Sequence, residues 1–138
     1  DLSGDPRNHQ RMVELRAAKV AGIADDLPPL AIHGSPSGDV LLVSWGSTWG
    51  AVAQAVEAAV ADGLAVGHVH LRHLNPFPPD LGTVLQQYRQ VLVPELNLGQ
   101  LALLLRARYL VDVQQLDKVQ GRPFKVSEIH DRIRELAR

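Results

Sequence analysis

From Asp39 to its end the chain alternates short aliphatic and β-branched runs with stretches of helical spacing, and this alternation constrains its fold more than any other feature. The strand-like runs occupy residues 40–45, 65–71, 90–94 and 111–116, and the helical stretches 48–61, 80–87, 99–109 and 127–137. Strand–helix–strand units joined by a few residues imply right-handed crossovers, so a mainly parallel sheet with helices on both faces is expected. The predicted class is therefore α/β in three layers.

Local patterns place the elements. Val52, Val56 and Val60 repeat every four residues on the first main helix, and alanines between them allow close packing on a sheet. Gly63 follows that helix where a left-handed residue is wanted. Ser127 precedes a charged segment whose predicted buried stripe is Ile129, Ile133 and Leu136, with Glu128 in the first turn complementing the helix dipole. Upstream of Asp39, Met12, Leu15, Ala18, Val20 and Ile23 are spaced for a helix over residues 7–23, with Pro6 suited to its first position. Residues 25–38, rich in proline, glycine and serine, read as a connection holding at most one short edge strand around Leu30-Ala31-Ile32. The division is thus a linker helix and connection over 1–38, then an α/β domain over 39–138.

At 138 residues the chain fits one core, burying roughly two-thirds of its unfolded surface. A formal charge of −1 gives no electrostatic footprint for nucleic acid or an anionic membrane. With no cysteine, the chain itself cannot form disulfides, thiolate zinc sites or cysteine-held iron–sulfur clusters. No run approaches the ~18 apolar residues of a membrane span, and no secretion signal is visible. An intracellular location fits these features. The opening on Asp1, followed by the polar turn Ser3-Gly4-Asp5-Pro6, suggests a piece of a longer polypeptide.

Function is expected at the carboxyl ends of parallel strands, and three of the predicted strands end in distinctive loops. The first, Trp45-Gly46-Ser47-Thr48, opens a helix whose backbone N–H groups could hold an anion, with Ser47 or Thr48 as cap and Trp49 offered to a contact surface. It lacks both P-loop and G-x-G-x-x-G spacing, and Ser47 is not in a G-x-S-x-G elbow. The second, Asn75-Pro76-Phe77-Pro78-Pro79, stiffens its backbone at three prolines, so Phe77 either anchors another domain or covers its own core. In the third, Glu95, Asn97, Gly99 and Gln100 form an E-x-N-x-G-Q turn into a leucine-rich helix, where the polar side chains are expected to bond neighbouring loops or caps. Separately, His68 and His70 face one side of a strand and could chelate as an H-x-H pair beside His73. Barrel enzymes that use such a pair need about 250 residues and further ligands. The plainer reading has these histidines covered or hydrogen-bonded by a neighbouring helix.

In order, W-G-S-T at 45–48, L-N-P-F-P at 74–78 and V-P-E-L-N-L-G-Q-L at 93–101 resemble the C-terminal domain of the α subunit of 2-oxoacid:ferredoxin oxidoreductases. D-P-R-N-H-Q-R-M-V-E-L-R-A-A-K-V at 5–20 is similar to the linker helix of the 2-oxoglutarate branch, and G-R-P-F-K-V-S-E-I at 121–129 to its closing segment. The resemblance implies a transketolase C-terminal-like fold, a mostly parallel five-stranded sheet with one antiparallel edge strand, for which Leu30 to Ile32 is the candidate. It also implies a cytoplasmic complex of the tricarboxylic acid cycle that converts 2-oxoglutarate and coenzyme A to succinyl-CoA and CO2. That complex uses thiamine diphosphate, Mg2+ and an iron–sulfur cluster, and passes electrons to ferredoxin. No G-D-G followed by a distant asparagine is present for thiamine diphosphate, so these groups are expected in other domains or in the β subunit.

The chain then reads as a non-catalytic assembly domain of an α2β2 enzyme. Gly46, Ser47, Thr48, Asn75, Pro76, Phe77, Pro78, Glu95, Asn97, Gly99 and Gln100 would contact the preceding α domain or the β subunit. Two other readings use the same fold. One is a nucleotide- or coenzyme A-binding module at 46–48 and 95–100, the other a metal enzyme built on His68, His70 and His73.

Overall fold

The computed structural model describes residues 27–96, 99–118 and 122–138. The expected helix over 7–23, Asn97 and Leu98 of the third loop, and Gly121 of the closing motif lie outside the described residues. Five strands, β1 (His33–Gly34), β2 (Gly38–Trp45), β3 (Val66–Leu71), β4 (Tyr88–Glu95) and β5 (Val113–Asp117), form one sheet in the order β1-β3-β2-β4-β5. The strands β3, β2, β4 and β5 pair in parallel, and β1 joins β3 antiparallel with His33 opposite His68. The helices are α1 (Trp49–Ala61), α2 (Leu81–Leu85), α3 (Gln100–Tyr109) and α4 (Val126–Leu136).

Strand alternation sorts the core into two layers. Val40 and Leu42 of β2, Val66 of β3 and Leu92 of β4 meet α1 and α4 through Val52, Ala55, Val56, Ala59, Ile129 and Ile133. Leu41, Val43, Val69, Leu71, Val91 and Val93, on the opposite face, meet α2 and α3 through Leu81, Val84, Leu85, Leu101 and Leu105. Both faces are apolar because both are covered, which is why β2 and β4 read as continuous aliphatic runs instead of alternating ones.

Three local expectations are corrected. The antiparallel edge strand falls at His33–Gly34, just beyond Leu30-Ala31-Ile32, because Leu30 instead gives its N–H to Asp80 Oδ2 at 2.9 Å. On α1 the buried stripe is Val52, Ala55, Val56 and Ala59, so the alanines let the helix lie close to the sheet as expected, whereas Val60, the third valine of the repeat, is 39% exposed. The last helix starts one residue before Ser127, and Glu128, rather than Ser127, caps it by accepting the Lys125 N–H at 3.0 Å. Lys118 also bonds that carboxylate at 2.6 Å, and these two hydrogen bonds hold its pKa below the usual carboxylate range. Gly63 takes its expected left-handed conformation with φ 87°.

Ile133→Ala should destabilise the full chain by about 3 kcal/mol in urea unfolding, since the side chain is completely buried between α4 and α1. Val60→Ala should change stability by less than about 0.5 kcal/mol. Equal losses at the two positions would contradict this packing.

Candidate functional site

The direction in which strands are added to the sheet reverses between the parallel neighbours β2 and β4: the segment after β2 crosses to β3 on one side, and the segment after β4 to β5 on the other. Where two such loops part, the carboxyl ends of the strands leave a crevice. Here it is a cavity of ≈ 230 Å3 lined by Trp45, Gly46, Ser47, Thr48 and Leu96. The fold thus brings the loops at 45–48 and 95–100 together on adjacent parallel strands. The loop at 75–79 follows β3, on the other side of β2.

Glu95 organises this edge. It ends β4, is 1% exposed, and turns its carboxylate under the start of α3. Oε1 accepts the Leu101 N–H at 2.7 Å, and Oε2 the Ala102 N–H at 3.2 Å. Oε1 also receives Trp45 Nε1 at 3.4 Å, tying the end of β2 to that of β4. First-turn amides that an external anion would seek are therefore already bonded to an internal carboxylate, and a phosphate at 95–100 would meet negative charge. Gly99 enters α3 with φ 79°, and a Cβ there would meet the Gln115 side chain at 2.7 Å. Gln100 is exposed.

The other loops behave less uniformly. Gly46 has φ 63°, and Gly46–Thr48 forms a single 3-10 turn. Neither Ser47 nor Thr48 caps α1: Thr48 Oγ1 donates back to the Trp45 carbonyl at 3.0 Å, and Ser47 is exposed. Trp49 is 51% exposed. Phe77, by contrast, is turned inward. It is half-buried against the α2/α3 layer with its ring 5.8 Å from that of Tyr109, while Pro78 is buried and Asn75 exposed.

His68 and His70 do share a face of β3, yet their partner is a strand residue and not a helix. Ser44, opposite His70 on β2, places Oγ 2.7 Å from His68 Nε2 and 2.8 Å from His70 Nδ1. One hydroxyl has one proton to give, so it donates to one ring and accepts from the other. A hydroxyl beside an imidazole has the atoms of a nucleophile and its base, but Ser44 is completely buried and out of reach of a substrate. Among the described residues no three or more His, Asp or Glu side chains converge as a metal site. Ser44 sits within an apolar run, and only the register of β2 on β3 reveals its role.

Burial above all, and then His33 and His70, push the His68 pKa down to about 4. Burial and then Arg72 lower that of His70. In the unfolded chain His68 takes up its proton near pH 6.5, but in the folded chain only near 4. Its contribution is therefore complete above pH 6.5 and is lost as pH falls toward 4, by about 2–4 kcal/mol.

These features define a domain class, a helix-flanked parallel sheet with an antiparallel edge strand and a crevice at its switch point. The chain belongs to the pyruvate:ferredoxin oxidoreductase core domain II family, whose model matches residues 38–129. It is 50% identical over 131 residues, 94% of its length, to the 2-oxoglutarate oxidoreductase subunit KorA of Mycobacterium tuberculosis, and spans 20% of that protein. A solved 2-oxoglutarate:ferredoxin oxidoreductase from Magnetococcus marinus, with 2-oxoglutarate, coenzyme A and succinyl-CoA bound, superposes with a TM-score of 0.88. It is 29% identical, and the match covers 99% of this chain and 24% of that one. A split-gene transketolase in an inactive β4 tetramer, 18% identical, shares the fold with a TM-score of 0.59, over 78% of this chain and 42% of that one.

Two substitutions test the site. Glu95→Ala should cost about 2–4 kcal/mol in urea unfolding, because two buried amides lose their acceptor; a loss below about 0.5 kcal/mol would exclude the capping role. His68→Gln retains a partner for Ser44 but cannot titrate, so its unfolding free energy should fall less between pH 7 and 4.5 than that of the parent. Equal slopes would show that His68 does not carry the acid sensitivity.

Proposed function

We propose that this chain is the assembly domain of the α subunit of a 2-oxoglutarate:ferredoxin oxidoreductase. The full complex would convert 2-oxoglutarate and coenzyme A to succinyl-CoA and CO2 while reducing ferredoxin. The observation that carries this reading is the 50% identity over 94% of the chain to a 2-oxoglutarate oxidoreductase subunit, of which it spans only 20%.

Thiamine diphosphate, Mg2+ and an iron–sulfur cluster belong to the reaction, and the residues here do not fit them. The chain has no cysteine to hold a cluster and no G-D-G for the diphosphate's metal. We therefore assign these groups to other domains and the β subunit of an α2β2 assembly. No helix of the described residues is long and apolar enough to cross a membrane, and a cytoplasmic location agrees with the proposed chemistry.

The exposed tip of the β2–β4 edge, Gly46, Ser47 and Gln100 beside Trp49, is the proposed contact with the preceding α domain or the β subunit, together with Asn75 and Asn97. Phe77 and Pro78 support it from behind by fixing the 75–79 loop on the core. Glu95 and Gly99 contribute by holding the start of α3 in place.

Ser47→Arg with Gln100→Arg, introduced into the complete α subunit, should reduce β-subunit co-purification and 2-oxoglutarate-dependent ferredoxin reduction by at least about tenfold, as expected for long charged side chains forced into an interface. Thermal stability of the subunit should be unchanged. Parental values of both assembly and turnover would overturn the assignment.

A further inference from the structure

On the edge-strand side of the sheet is a second cavity, of ≈ 360 Å3, that shares no lining residue with the β2/β4 crevice. We propose that it binds a small organic anion, a phosphate carried on a flat apolar body. Its volume falls within the range of about 300–1,000 Å3 typical of small-molecule sites. Every ionisable side chain on its wall is basic: His33 from β1, His70 from β3, and Arg72 and His73 just beyond it.

The basic wall is ordered from behind. His70 bonds Ser44, whose side chain is completely buried, through Nδ1, and among the described residues its Nε2 makes no hydrogen bond. Arg72 follows at the spacing that keeps it on the same side of the chain. A guanidinium presents paired donors that match two phosphate oxygens, and imidazoles add single N–H donors.

The rest of the lining is apolar and stiff. Pro28, Pro29, Leu30 and Pro78 belong to it, and Trp49 offers a ring 51% exposed. Leu30 is anchored through its N–H to Asp80, the carboxylate behind this wall. A flat ligand body can lie on such a surface with little ordering cost, while its anionic end reaches Arg72.

Adenosine monophosphate carries both parts and is the probe, with adenosine and inorganic phosphate as its halves, in titrations of the full chain read by tryptophan fluorescence and calorimetry. The nucleotide should bind saturably at one equivalent, phosphate should compete more weakly, and adenosine should not bind. Arg72→Ala should weaken the nucleotide at least about tenfold, the loss expected of a charge-assisted contact. Trp49→Ala should weaken the nucleotide but not phosphate, and Thr83→Ala, on the exposed side of α2, should change neither. Circular dichroism of each variant separates loss of fold from loss of site. Absence of saturable nucleotide binding up to about 10 mM, adenosine binding as tightly as its phosphate, or an unchanged affinity in folded Arg72→Ala would each overturn the proposal.

Discussion

The carboxylate of Glu95 stands between two demands that a parallel sheet makes on its loops. β4 must stop and α3 must start within a few residues, and the first amides of that helix have no intrahelical acceptor. Placing an acceptor at the last strand position meets both, since the same oxygens that satisfy Leu101 and Ala102 also hold the indole of Trp45 at the end of β2. A carboxylate at a helix N-terminus is further favoured by the helix dipole. The edge is thus self-satisfied, with its negative charge used internally. This suits a surface that supports neighbours better than one that captures phosphate.

The two faces of the sheet are built differently. Toward α2 and α3 the strands present a largely aliphatic surface, with Glu95 at its rim. Toward α1 and α4 the strands carry a polar seam of Ser44, His68 and His70, in which the Ser44 hydroxyl bonds both imidazoles. That seam joins the apolar core to the basic wall beside β1. One histidine sits wholly inside the protein, and the next lines a cavity.

Most of the architecture was legible in the sequence because strand-length apolar runs alternate with helical stretches, and tertiary packing agreed with that local pattern. The expected α/β class, parallel order and antiparallel edge match the observed fold and its solved neighbours. What stayed hidden depended on register or side-chain direction. Ser44 looks like one more strand residue until β2 is set against β3. The two readings of Phe77, an anchor for another domain or a cover for its own core, are separated only when Tyr109 is placed beside it, and Val60 completes a fourfold repeat yet stays 39% exposed. The starts of α3 and α4 are held by the carboxylates of Glu95 and Glu128, whereas Ser47 and Thr48, the hydroxyl candidates at α1, do not cap it.

The two-residue length of β1 has a consequence for assembly. A sheet edge with a long row of open amides invites another chain to extend it. Here the β3 side is closed by a strand too brief to template a partner, and its Gly34 takes φ 84°, where a Cβ would strike the Val66 carbonyl at 2.5 Å. Growth by strand addition is therefore discouraged on that flank.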